Sequence, residues 1–187
     1  MRKLVQHMHV SLDGFVTDQS GGMGWIHVDD EIFDFVGSIT KEADTGLYGR
    51  VTFGMMEGYW PTAADNPNAS KHDLEHAQWY KAASKVVLSR TLQSALDKTQ
   101  IVSDNLAEQI EKLKGEPGKN IIIFGSPGAA HSLMQANLVD EYWLFVNPVL
   151  IGGGKPLFAN IQQKTNLRLI ETKTFASGVV AMHYEVK

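Results

Sequence analysis

The chain has 187 residues, 43% of them hydrophobic, and a formal net charge of -4. That length supports one well-buried core and is short for two, so a single domain over residues 1–187 is expected; the acidic balance excludes a global basic field for nucleic acid or anionic lipid and leaves only a local basic pocket. Cysteine is absent, which removes disulfides, thiolate metal sites and cysteine nucleophiles together. The N-terminal stretch MRKLVQHMHVSLDG lacks the long apolar core of a signal peptide and no run reaches the length of a membrane span, so the expected location is the cytoplasm.

Lys3 to Val10 is β-prone, and Asp13-Gly14 marks a turn or bulge before Phe15 and Val16 resume the pattern. From Asp30 to Ala43, Ile32, Phe33, Phe35, Val36 and Ile39 fall at helical spacing, with Asp29 or Asp30 available as the cap. TGLYGRVTFGMM predicts a short strand, a turn at Gly49 and a second helix start. Gly58 to His76 is polar and contains proline, which predicts a surface loop near an opening. Lys85 to Leu88 reads as a buried strand ending in Ser89-Arg90-Thr91. SDNLAEQIEKLKGEPG predicts an amphipathic helix capped by Ser103 or Asp104, with Leu106, Ile110 and Leu113 on one face and a stop at Gly115 and Pro117.

Ile121 to Phe124 is uniformly apolar, as in a strand buried on both faces. Gly125 then permits a tight turn, Ser126 suits a helix cap, and Pro127 suits the first helical position. The free N–H groups and dipole of such a start favour an anion. From Asp140 the chain turns to strands alone, and Ala176-Ser177-Gly178 joins the last two as a hairpin. The expected fold is therefore α/β: three layers, a mostly parallel central sheet with helices on both faces, and an antiparallel C-terminal edge hairpin.

Three strand ends carry turns suited to phosphate: Gly49-Arg50-Val51-Thr52, Leu88-Ser89-Arg90-Thr91 and Gly125-Ser126-Pro127-Gly128. Their spacing, together with HVSLDGFVT, LYGRVTF, VVLSR and LVDEYWLFVNPVLIGGGKPLF, resembles the dihydrofolate reductase superfamily in its riboflavin-biosynthesis reductase branch, the C-terminal domain of the bifunctional deaminase-reductase. The resemblance spans nearly the whole chain. It implies NADPH as cofactor, with Gly49, Arg50 and Thr52 at the bridging phosphates, Ser89 and Arg90 at the 2′-phosphate, and Gly125, Ser126 and Gly128 at the pyrophosphate. His9 and Val10 match the first-strand backbone that meets the nicotinamide carboxamide, and Val16 lies across the same interruption. It also implies a homodimer using the C-terminal strands.

Asp30 and Asp13 are the candidate catalytic carboxylates by the same resemblance; each also has an ordinary reading, as a helix cap and as a turn residue. Ser126-Pro127 stands where many relatives carry paired glycines. No arginine matches the one that holds the folate glutamate tail, which weighs against folate reduction. His7, His9 and His27 lack a ligating carboxylate at suitable spacing and read as half-buried polar residues near a cleft, so no metal is expected. Trp25, Trp60, Trp79 and Trp143 read as packing or cleft wall. The expected function is NADPH-dependent hydride transfer to a C=N or C=O group of a small heterocyclic or sugar-like molecule, with the ribosylamino-uracil step of riboflavin synthesis ahead of dihydrofolate reduction. The competing reading is a non-catalytic nucleotide-binding or interaction module on the same fold.

Overall fold

A computed structural model describes residues 1–93 and 96–187. In chain order the elements are β1 (Leu4–Ser11), β2 (Phe15–Thr17), α1 (Asp30–Lys41), β3 (Ala43–Gly49), α2 (Arg50–Ala63), α3 (Lys71–Ala82), β4 (Ser84–Leu88), β5 (Thr99–Val102), α4 (Leu106–Gly115), β6 (Asn120–Phe124), α5 (Pro127–Gln135), β7 (Glu141–Asn147), β8 (Lys155–Pro156), β9 (Leu167–Thr174) and β10 (Val180–Val186). The main sheet has the order β5-β4-β3-β6-β1-β7-β10-β9, parallel from β5 through β7 and antiparallel at β10 and β9. The α/β class, the mostly parallel sheet and the C-terminal hairpin expected from the sequence are all present.

Each face of the sheet has its own core. Ile110 and Leu113 of α4 and Ala130 and Leu133 of α5 pack with Leu4, Leu47, Ile121 and Ile123. On the other face, Ile32 and Val36 of α1, Phe53 of α2 and Tyr80 of α3 pack with Val5, Tyr48, Ile122 and Phe145. The apolar run of β6 thus supplies both cores by alternation, which is why it contains no polar residue.

The placement of β6 between β3 and β1 determines where a ligand can sit. After β3 the chain turns to one face as α2, and after the neighbouring β6 it turns to the other as α5. Loops that leave adjacent strand ends in opposite directions open a crevice at that rim.

Several local expectations are corrected. The segment Gly58 to His76 is largely helical: α2 continues to Ala63 with Pro61 inside it, and α3 starts at Lys71. Ser70 and Asp73 form a capping box, with Ser70 Oγ accepting from Asp73 N at 3.1 Å and the Asp73 carboxylate accepting from Ser70 N at 2.9 Å. Tertiary contacts hold the two helices together, including Trp60 on His76 with ring centroids 4.1 Å apart and Tyr80 OH donating to Glu57 at 2.6 Å. The first helix ends at Lys41, because Ala43 already pairs in β3, and Asp29 is its cap, accepting from Ile32 N at 2.9 Å. Asn105, in a left-handed conformation, begins α4 without a side-chain cap, in place of Ser103 or Asp104. Phe15 and Val16 do resume a strand, β2, but strand β5 and the pairing of β2 with β8 were not expected; the four residues of β5 and two of β8 are too few to show a period.

Candidate active site

At the rim between β3 and β6 lies a cavity of about 810 Å³. Its polar half is lined by Gly49, Arg50, Thr52, Gly125, Ser126 and Gly128, so two of the three predicted phosphate turns meet there. Helices α2 and α5 both begin at this wall. Neither start has a side-chain cap or an acidic residue in its first turn, whereas α1, α3 and α4 carry Asp30 and Glu31, Asp73, and Glu108 there. Acidic residues offset the positive end of a helix dipole; leaving them out of these two starts keeps N–H groups and partial positive charge directed at the cavity.

Ser126 is the N-cap residue of α5 as expected, but its side chain makes no cap bond. It takes a left-handed conformation with φ 52°, and its hydroxyl accepts from Gly49 N at 3.0 Å. That bond ties the start of α5 to the start of α2 and offsets the cost of the backbone conformation, which is about 1–2 kcal/mol for a non-glycine residue. The Ser126–Pro127 peptide is trans.

Lys155, from the GGGKP segment, lines the same cavity, and its Nζ lies 3.9 Å from where a Cβ on Gly128 would stand. The Gly125-to-Gly128 turn by itself offers only backbone donors; the fold adds a cation. Pairing of Thr17 in β2 with Lys155 in β8 brings it there from a segment far along the chain. The remaining wall is mainly apolar, with Met8, Val16, Met23, Met55, Met56 and Trp60 beside Thr17. Trp60 is cleft wall, one of the two readings given to the tryptophans.

The other predicted residues do not line this cavity. Ser89 and Arg90 follow Leu88, which does line it; Ser89 Oγ accepts from Thr91 N at 3.2 Å and Leu92 N at 2.9 Å, and Arg90 is exposed. Val10 is buried in the core, leaving only its backbone available, and His9 stacks on Phe145 at 5.0 Å. The Asp13 carboxylate accepts from Ser11 Oγ at 2.6 Å, Gly152 N at 2.8 Å and Ile151 N at 3.3 Å. Those bonds, the Ser11 hydroxyl first, hold it below the usual carboxylate range, so at neutral pH it is an anion joining the first turn to the triple-glycine loop. Asp30 is exposed on the first turn of α1, and since Asp29 makes the cap, the Asp30 carboxylate makes no cap bond.

Beside Trp60, on the face carrying α1 to α3, is a row of histidines and aromatic rings. Phe124 lies 5.3 Å from His7 and 5.5 Å from His76, and His72 stacks on Phe33 at 3.9 Å. Burial, the leading cause, lowers the pKa of His7 and His76 to about 3 and that of His9 to about 4. Among the described residues no group of three His, Cys, Asp or Glu is arranged to hold a metal ion, and no helix is long and apolar enough to cross a membrane.

The fold has counterparts among known proteins. The structure is similar to a protein from Shewanella sp. PV-4 described as a riboflavin biosynthesis protein, with a TM-score of 0.75 at 22% identity over 99% of both chains. It is also similar to dihydrofolate reductase from Enterococcus faecalis complexed with NADP(H), with a TM-score of 0.64 at 14% identity over 99% of this chain and 96% of that one. These likenesses define the class: a dihydrofolate-reductase-like α/β fold. The sequence matches the RibD C-terminal domain over residues 2–181, and the chain belongs to that family. Among its relatives, YyaP of Bacillus subtilis (strain 168) is 35% identical over 187 residues, covering 98% of this chain and 94% of YyaP.

Lys155, Met23, Met55 and Met56 were missed as site residues. The lysine after the glycine run was the one available signal; a methionine pair on a helix looks the same whether it faces a core or a cleft.

Proposed function

We propose that this protein is an NADPH-dependent reductase that transfers hydride to a C=N or C=O group of a small heterocyclic compound. The observation that carries the reading is the meeting of two uncapped, acid-free helix starts with Arg50 and Lys155 at one cavity. That donor set suits a dinucleotide's pyrophosphate: N–H groups and cations converge, and the described lining residues include no carboxylate. Family membership and the fold shared with an NADP(H)-bound reductase support the choice of cofactor.

In this reading the first turns of α2 and α5, with Arg50, Thr52 and Lys155, hold the pyrophosphate. Ser89 and Arg90 take the 2′-phosphate beyond Leu88, and the backbone of His9 and Val10, with Val16 opposite, positions the carboxamide. When bound, the dihydronicotinamide supplies the hydride; the chain's part is to fix the geometry of the two reactants and exclude water. Asp30 relays the balancing proton to the nitrogen or oxygen of the reduced bond.

Fluorescence titration of the tryptophans with NADPH and NADH tests the cofactor assignment. Arg90→Ala should weaken NADPH binding by roughly tenfold or more, the loss of a charge-assisted contact, and leave NADH binding nearly unchanged. Equal losses for both cofactors would refute the role of Arg90. For the proton, Asp30→Asn should lower kcat at least about tenfold with NADPH affinity unchanged; an unaltered kcat removes Asp30 from the reaction.

A further inference from the structure

The cavity has two halves of opposite chemistry. Among the described residues lining it, Arg50 and Lys155 are the only charged ones, and both belong to the helix-start wall. The other half is made by Met8, Val16, Met23, Met55, Met56 and Trp60. Part of it stands open to solvent: Met23 is 45% and Met55 56% exposed, although both are apolar. An apolar wall left open at a cavity marks a surface that a ligand covers.

This charge distribution constrains the second reactant. Once a dinucleotide's phosphates occupy the helix starts, Arg50 and Lys155 are engaged, and no cation remains in the apolar half. A phosphate ester placed against methionine and tryptophan would lose its hydration with nothing to replace it. A flat, uncharged ring meets the opposite situation. Methionine thioethers are polarizable, adapt to irregular shapes and contact aromatic rings favourably, and Trp60 adds a large apolar surface.

We propose that the molecule reduced here is a planar, phosphate-free heteroaromatic compound, seated between Met23, Met55, Met56 and Trp60. The proposal rests on the NADPH reading, because it requires the cofactor's phosphates to engage both Arg50 and Lys155. It separates this protein's substrate from the phosphoribosyl compound for which a similar Thermotoga maritima protein is described as a reductase, a match with a TM-score of 0.68 at 14% identity that covers 57% of that chain.

The test uses two stable pairs that differ by one phosphate: riboflavin with FMN, and 6-hydroxymethylpterin with its monophosphate. Calorimetry first measures NADP+ binding; no binding at that step is the failure of the cofactor reading, seen before any ring compound is added. With NADP+ saturating, the phosphate-free member of at least one pair should bind tenfold or more tighter than its phosphorylated partner. Tighter or equal binding of the phosphorylated member in either pair, or no binding of both free compounds, would overturn the proposal. Met55→Lys, at an exposed position that tolerates the change, should shift the preference toward the phosphorylated member by at least tenfold. No shift would show that the second reactant does not sit against Met55.

Discussion

Acidification from pH 7 to pH 5 should lower the stability of this protein steeply, well before its carboxylates begin to protonate. His7, His9 and His76 are held neutral in the folded state down to about pH 3, 4 and 3, whereas in the unfolded chain each has a pKa near 6.5. The sign follows directly. Between pH 6.5 and the folded values the unfolded state binds more protons, so stability is full above about pH 7 and is lost as the pH falls through 6.5, by up to about 1.4 kcal/mol per pH unit for each histidine. His72, also lowered by burial, adds to the trend, with Asp73, Glu75 and Asp34 opposing it.

The physical cause is burial without an acceptor. The His7 Nε2 atom has no hydrogen-bond partner, and its ring lies between Phe124 and Phe145, so a proton there would place a charge among aromatic rings with nothing to receive it. Urea midpoints measured at pH 7.5, 6.5 and 5.5 should fall progressively, with His76→Phe reducing the slope by about a third. A midpoint that does not move across this range would show that these histidines take up protons at the same pH in the native and the unfolded state. Because His76 packs on Trp60, a change in tryptophan emission should accompany the loss, linking the histidine row to the cavity wall.

Gly154→Ala should cost about 2–4 kcal/mol and weaken NADPH binding as well. Gly154 has φ +144°, and a Cβ there would run into the Thr17 carbonyl oxygen and come within 2.9 Å of the carbonyl carbons of Thr17 and Asp18. These are backbone atoms of Thr17, the last residue of β2, and of Asp18 just after it, so relief requires the segment leading into β8 to move away from β2. That movement carries Lys155 with it, away from the start of α5. Gly152→Ala is the matched control. Its φ of +72° is also left-handed, but a Cβ there meets nothing within 4 Å, so it should cost only about 1–2 kcal/mol and spare the cofactor. Equal effects of the two substitutions, read by thermal unfolding and NADPH titration, would show that backbone conformation alone matters and that contact with β2 does not.

Much of the architecture was legible because it is written in local pattern. The apolar run Ile121 to Phe124 predicts its burial on both faces of the sheet, and Ala176-Ser177-Gly178 marks the hairpin between the last two antiparallel strands. Glycines at strand ends marked two turns that do meet at one cavity. Less was legible where a neighbour distant in sequence decides. Pro61 and the polar run after it read as a loop, yet packing of Trp60 and Tyr80 across α2 and α3 makes most of the segment helical. Ser126 has the composition of a cap, but its hydroxyl is used by Gly49, 77 residues away.

The sequence by itself determined the fold class, the family and the two glycine turns that bind the helices to the strand ends, because periodicity and turn chemistry act over a few residues. Only the tertiary structure decided which groups share the cavity. Lys155 reaches the start of α5 through the pairing of β8 with β2, and Met55 and Trp60 face the same space because α2 begins at that rim. Such juxtapositions depend on contacts between segments whose separation along the chain carries no local signal.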